Sequence, residues 1–340
     1  MSSPLALPLD DPGWAAFVEL RPDATPFHNP VWGSLLAECY GFRAFAFVLR
    51  EGREIVAGVP VVEVRGPTRK RRWVALPFTD ALAPLGTPEH VTLLVEMLDA
   101  ERSKAGVASL EVRAEVMHGT RTVRGLAHVL ALGPRSEDVF ATFSKSQVQR
   151  NVARAERDGV DVRVAERAGD LLETFYRLHL LTRRRQGVPI QPRRFFSLLW
   201  DRMLGQGLGR LFIAELDRNA VAAAVFLEWN GMVVYKFGAS DPQSWGSRPN
   251  HALFWEAIRR ACAEGMSELD FGRTDLGNEG LRAFKASWGT DERELVYTNL
   301  GKESGPRTSG RPGTLLAASI RRSPPWVCRV LGERLYRYAG

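Results

Sequence analysis

The sequence predicts an α+β fold of two tandem domains, each a mixed central sheet flanked by helices. Three observations carry this expectation. A chain of 340 residues exceeds one hydrophobic core of ordinary size and suits two. The order helix, hairpin, strand, helix, strand can be read twice, before and after Gly133-Pro134. The 45% apolar and 25% charged residues are those of a globular chain, not of a disordered or fibrous one. The expected organisation is 1–135, 136–300 and a tail over 301–340.

In the first half, residues 30–40 have helical spacing behind Pro30, and proline suits a first helical turn because it lacks the N–H left unpaired there. Residues 42–50 and 55–65 read as strands around the Glu51-Gly52-Arg53 turn, and 72–76 as a third. Residues 88–104 form a helix, and 108–113 and 128–132 are strands. The stretch 137–159 reads as one basic amphipathic helix carrying Lys145, Arg150, Arg154 and Arg157 into the second domain.

In the second half, residues 211–216 and 221–229 flank Asp217-Arg218-Asn219, and Asn230-Gly231 turns into a third strand at 232–237. Leu253, Phe254, Ala257, Ile258 and Ala261 mark a helix over 250–264 that stops at Gly265. A strand at 267–271, a helix at 278–288 and a strand at 294–299 follow. GQGLG at 205–209 follows a helix and precedes a strand, the reverse of a dinucleotide loop, so it reads as a helix stop. Residues 301–313 read as a linker, and a short helix beyond Pro325 places Trp326, Val330, Tyr336 and Tyr338 among basic residues.

Composition excludes several classes. The longest apolar run, 220–227, falls far short of the ~18 residues of a spanning helix. Cys39, Cys262 and Cys328 are odd in number and far apart, which fits a reducing cytoplasm and no disulfide framework. No basic leader opens the chain. HExxH, CxxC, phosphate-loop and GxSxG patterns are absent and the six histidines show no ligand spacing, so no metal or bound cofactor is expected. The net charge is +7, but eight basic and two acidic residues lie between 301 and 340. Most of the excess is therefore in the tail, whose partner should be anionic: phospholipid, nucleic acid or acidic protein.

The block RPNHALFWEAI at 248–258, then LDFGR at 269–273 and LRAFKASWG at 281–289, resembles the Fem-type (FemABX-like) branch of the GNAT superfamily of acyl-CoA N-acyltransferases. PFHNPVWGSLL at 26–36, LPFTDALAPLG at 76–86 and FSKSQVQRNVARAERDGV at 143–160 fit the same pattern. The similarity spans roughly 25–300, and FGR…FKxxWG is its most specific part. It implies two tandem GNAT-like domains. The long helical arm that some Fem proteins insert is missing. Members move an acyl or aminoacyl group from an activated carrier to an amine; the Fem enzymes use aminoacyl-tRNA and peptidoglycan-precursor peptides.

The resemblance assigns roles residue by residue. Lys285, beside Phe284, matches the lysine expected to stabilise the tetrahedral oxyanion of acyl transfer; read alone it is a solvated helix lysine. Arg273, after a strand end, is a clamp for carboxylate or phosphate, or a partner for Asp275. Arg248, Asn250 and His251 stand where a GNAT loop meets pyrophosphate at a helix N-terminus. The usual glycines are absent there, Pro249 removes a donor, and Asn250 is also readable as an N-cap. Tyr235 and Lys236 lie on the strand that admits the acyl chain. His28, Trp32 and Asp80 would line an acceptor groove between the domains, Asp80 meeting an ammonium; turn and capping roles are their alternative. Lys145, Arg150 and Arg154 would grip nucleic-acid phosphates, or form a solvated face. Residues 321–340 would contact a membrane, or dock on the core.

The expected function is N-acyl transfer, with aminoacyl-tRNA or acyl-CoA as co-substrate and an amine acceptor, lipid-linked if the tail meets membrane. The preferred reading is Fem-like aminoacyl transfer to a cell-envelope peptide at the cytoplasmic face of the membrane. Transfer from acyl-CoA or acyl-carrier protein in polysaccharide pathways is the alternative, and a non-catalytic GNAT-like binding module the third.

Overall fold

The computed structural model describes residues 2–65, 70–301 and 311–336. The chain divides into two compact units, Met1–Gly125 with Glu294–Thr308 and Arg337–Gly340, and Leu126–Arg293 with Ser309–Tyr336. Both are α+β, as expected.

The first unit contains β1 (Ser2–Leu7), α1 (Pro12–Glu19), α2 (Pro30–Tyr40), β2 (Arg43–Glu51), β3 (Glu54–Arg65), β4 (Arg71–Val74), β5 (Leu85–Gly86), α3 (Pro88–Lys104) and β6 (Ser109–Val112). The strands follow the order β1-β2-β3-β4-β6, with β4–β6 parallel and the other pairs antiparallel. Local sequence explains the boundaries of α2. Asn29 accepts the Val31 N–H at 3.0 Å, Pro30 opens the first turn, and Gly41 closes the helix at φ 69°.

β7 (Thr120–Ala131) carries the chain onward, and the division falls inside it, between Gly125 and Leu126. The boundary expected at Gly133-Pro134 is therefore displaced. An extended strand satisfies its backbone across the ladder, so no turn residues mark the change of unit.

The second unit continues with α4 (Ser136–Ala141), α5 (Arg150–Arg157), β8 (Asp161–Val164), α6 (Tyr176–Gln186), α7 (Arg193–Arg202), β9 (Gly209–Leu216), β10 (Asn219–Trp229), β11 (Met232–Ser240), α8 (Pro249–Ala263), β12 (Glu268–Asp270) and α9 (Glu279–Ala286). β13 (Asp291–Gly301) then leaves: from Glu294 it belongs to the first unit, where Thr298–Gly301 pairs antiparallel with β6. α10 (Arg311–Arg322) and α11 (Pro325–Leu335) return to the second. Its strands run β7-β12-β11-β10-β9-β8, with only β11–β12 parallel. Both hairpins close through left-handed pairs, Asp217-Arg218 (φ 51° and 64°) and Asn230-Gly231 (φ 52° and 74°), the geometry that matches strand twist. The core gathers Phe212, Phe226, Val233, Ile258, Leu269, Phe271 and Trp288, all nearly inaccessible. Each large side chain so buried contributes about 1.5–3 kcal/mol.

Two expectations need correction. The single helix over 137–159 is broken into α4, a wider π-type turn at Lys145–Gln149, and α5. The Ser144 hydroxyl caps the second piece, and the Gln149 amide donates to the carbonyls of Phe140 and Phe143 at 3.1 and 3.0 Å. The end of α4 is thus satisfied without a continuous helix. In the tail, 302–310 lies outside the described residues, as do Arg337 and Tyr338. Arg311–Gly313, expected in a linker, instead begin α10. Tyr336 is not on an outer face; burial pushes its phenol up.

Candidate active site

The site in the second unit is built where β11 parts from β12. The parallel pairing covers Met232–Val234 against Glu268–Asp270. One residue later β11 carries a bulge: Val225 pairs with Phe237 and Phe226 with Tyr235, so Lys236 is the extra residue. Bulges bend a strand and re-aim its side chains, and they concentrate beside active sites. Lys236 places its ammonium 5.6 Å over the Phe237 ring.

Tyr235 does not face solvent freely. It packs against Phe226 and Phe254, with centroids at 5.4 and 4.8 Å, and burial pushes its phenol up to about 12. Its hydroxyl lies against Gly238, where a Cβ would collide with it. Phe254 stacks on Phe271 at 4.8 Å and 10°, and Phe284 and Trp288 complete an aromatic wall. Phe284, expected among the catalytic residues, supplies packing to this wall; a hydrocarbon ring offers no proton or charge to acyl transfer.

α8 starts at the mouth of this wall. Its N-cap is Arg248 in the left-handed region (φ 58°), with no side-chain cap, a conformation that costs about 1–3 kcal/mol in a non-glycine residue and clusters at functional sites. The Arg248 Nε is buried with no hydrogen-bond partner among the described residues. Pro249 has no N–H, and the His251 N–H is bonded to the Arg248 carbonyl at 3.0 Å. Asn250 is therefore the second residue of the helix, not its cap, and its N–H meets no backbone acceptor among the described residues. One guanidinium and one backbone amide thus stand at the positive end of a 15-residue helix, a place suited to an anionic group.

His251 faces Trp288 at 5.8 Å and 26°, and its Nε2 is 3.4 Å from the Asn151 amide of α5. Burial first, then the Arg248 charge, lowers its pKa to about 4, so the ring is neutral at pH 7. Through this contact α5 is held beside the first turn of α8. Lys145 and Arg150 are exposed, while Arg154 pairs with Asp158 at 3.3 Å. The phosphate-gripping role expected of Arg154 is weakened accordingly.

Lys285 is the largest departure. It is not an exposed helix lysine: it is 3% exposed, and its Nζ donates to the carbonyls of Gly272 and Arg273 at 2.6 and 3.0 Å. Gly272 stands at φ 73° and its N–H is held by Asp270 Oδ1 at 2.7 Å. The ammonium thus fastens the chain where it leaves β12, and the oxyanion role expected of it does not fit this geometry. Behind it lies His128, fully buried, its Nε2 3.9 Å from Glu292. Burial and then the Lys285 charge hold the His128 pKa down. Arg273, expected as a donor clamp, is engaged with Asp275 at 2.6 Å.

In the first unit His28 and Trp32 are structural rather than substrate-facing. His28 is 2% exposed; its Nδ1 accepts the Thr25 N–H at 2.9 Å and its Nε2 donates to the Ala83 carbonyl at 2.8 Å. Burial lowers its pKa to about 4. The buried Trp32 indole donates to Thr79 Oγ1 at 3.1 Å. Both tie down the 76–86 loop, where Leu76 and Phe78 adopt positive φ (49° and 61°). Asp80 sits on that loop, its carbonyl accepting the Tyr297 hydroxyl at 2.7 Å.

Sequence reasoning missed Arg185 and Trp245. The Arg185 guanidinium lies 4.8 Å over the ring of the exposed Trp245, whose indole donates to Ser240 Oγ at 2.9 Å between β11 and α8. A tryptophan in a turn next to the RPN segment was the available signal.

Comparisons with known proteins bear on the fold. Residues 143–286 match the family model described as an acetyltransferase (GNAT) domain. No curated protein matches the chain. Among solved structures it is similar to FemX, at 15% identity and a TM-score of 0.68 over 87% of this chain and 96% of that one. L-PGS from Bacillus licheniformis matches at 13% and 0.56, covering 97% and 99%. A tandem GNAT protein from the clavulanic acid biosynthesis pathway matches at 12% and 0.51, covering 89% and 100%. At these identities the fold is what is shared: tandem GNAT-like units. No helix among the described residues is long and apolar enough to cross a membrane, and none of their His, Cys, Asp and Glu clusters could hold a metal.

Proposed function

We propose that the second unit transfers an aminoacyl group from aminoacyl-tRNA to an amine, with a cell-envelope peptide as the acceptor class. The observation that carries this reading is the start of α8. The Arg248 cation and a single backbone N–H, that of Asn250, stand there, which suits one phosphate, whereas a pyrophosphate is ordinarily cradled by several successive N–H groups. Beside it the π-type turn and α5 present Lys145 and Arg150 to solvent, cations suited to the backbone phosphates of a nucleic acid.

In the reaction the acceptor nitrogen attacks the ester carbonyl. The C–N bond forms, the C–O bond to the ribose breaks, and the terminal ribose hydroxyl leaves with a proton while the ammonium formed at nitrogen loses one. The carbonyl end lies along the β11 bulge, with Tyr235 and Phe254 excluding water. Lys285 acts as a positioning residue for the Gly272-Arg273 turn.

The test is binding of aminoacyl-tRNA, uncharged tRNA and acetyl-CoA at two salt concentrations. Preference for the charged tRNA, weakening with salt as phosphate contacts require, supports the reading. Tight, saturable CoA binding without discrimination among tRNAs overturns it in favour of an acyl-thioester donor, on CoA or acyl-carrier protein.

A further inference from the structure

We propose that the outer face of α10 and α11 docks on a lipid bilayer bearing anionic headgroups. The inference is independent of the acyl donor, because it concerns a surface that donor chemistry does not use.

The two helices form a fixed platform. Ile320 and Cys328 are fully buried. Arg184 Nε donates to the Ser323 carbonyl at 2.6 Å, Cys328 Sγ contacts the Val188 carbonyl at 3.3 Å, and Glu333 accepts the Arg193 N–H at 3.1 Å. Gly332 runs so close to the Ile190 carbonyl that any Cβ there would collide with it. What this platform presents outward is therefore set by the fold.

It presents Trp326 at 59% exposure, with Leu316 and Val330 also exposed. On α11 the positions 326, 329–330 and 333–334 recur at helical spacing, so Trp326, Arg329, Val330 and Arg334 share one face, and the exposed Arg322 lies just before them. Among the described residues Arg322, Arg329 and Arg334 make no ion pair. Elsewhere in the unit, Arg135, Arg154 and Arg259 pair with acids three or four residues away, Asp138, Asp158 and Glu256. Glu333, the acid nearest this face, is taken by the Arg193 N–H.

Exposed guanidinium groups without acids beside them suit an anionic partner, and the exposed Trp, Val and Leu suit an apolar one. An anionic bilayer supplies both, since tryptophan settles at the headgroup level and aliphatic side chains enter the acyl boundary. An RNA backbone would satisfy the arginines but leave Val330 and Leu316 in water, so the lipid surface is favoured.

The test is flotation of the full chain with phosphatidylcholine vesicles, with and without phosphatidylglycerol, at low and high salt. Binding should require the anionic lipid and weaken with salt. Each arginine near the surface is worth roughly a factor of five, so the combined Arg322→Glu, Arg329→Glu, Arg334→Glu variant should lose at least about a hundredfold. Trp326→Ala should lose roughly tenfold. Unchanged unfolding midpoints would establish that these exposed changes leave the fold intact. Equal binding to both vesicle types, or undiminished binding by the triple variant, overturns the proposal. So does binding of tRNA that the triple variant abolishes while vesicles are ignored.

Discussion

Lys285→Met separates two accounts of the same residue. The substitution keeps much of the side-chain length and removes the ammonium that holds the Gly272 and Arg273 carbonyls at 2.6 and 3.0 Å. A buried carbonyl left without its donor costs about 1–3 kcal/mol, and a partly wet one about 0.5–1.5 kcal/mol. Relief from burying a charge at 3% exposure offsets part of this, so the expected loss is about 2–3 kcal/mol. Urea unfolding of the variant measures it directly, through the midpoint at constant slope. If Lys285 instead acted on the transition-state oxyanion, stability would hold and turnover would fall by ~10²–10³. A variant within about 0.5 kcal/mol of the parent in stability, yet inactive with correctly bound donor, would refute the positioning role.

Three further outcomes are expected. Arg248→Ala should weaken donor binding by roughly ten- to a hundredfold, the worth of a charge-assisted contact, and titration calorimetry with the donor would read it. Gly238→Ala should drive the Tyr235 hydroxyl out of the space it occupies, visible as a changed tyrosine titration, which in the parent is raised to about 12 by burial. His28 and His251 are held near 4, and His179 near 3, chiefly by burial. Because these folded values lie below the free imidazole value, the stability is complete above about pH 6.5 and is lost as pH falls toward about 4, by up to ~1.4 kcal/mol per pH unit for each ring. Urea melts across that range should show the loss, and His28→Gln should flatten part of it.

Much of the fold was legible in the sequence because its signals are local. Pro30 and Gly41 bracket α2, Thr87 and Pro88 open α3, and Asn230-Gly231 closes a hairpin, each through a backbone preference that needs no distant partner. α6 was not legible. Its buried positions are Tyr176, Leu178, His179 and Thr182, so polar types stand where an apolar stripe would announce a helix. The site divides in the same way. The placement of Arg248 and Asn250 at the start of α8 was legible because a helix start is a local feature, whereas the engagement of Lys285, Arg273, His28 and Trp32 depends on what faces them.

By itself the sequence determined that this is a tandem α+β chain with a basic tail and acyltransferase motifs at 248–289. Periodicity, turn chemistry and charge are properties of neighbours along the chain. Only the tertiary structure decided which cations are spoken for. Lys285 and Arg273 are held by Gly272, Arg273 and Asp275, while among the described residues the Arg248 Nε has no hydrogen-bond partner and Arg322, Arg329 and Arg334 make no ion pair. A side chain's availability is set by burial and by partners brought together through folding. Linear spacing carries no record of either.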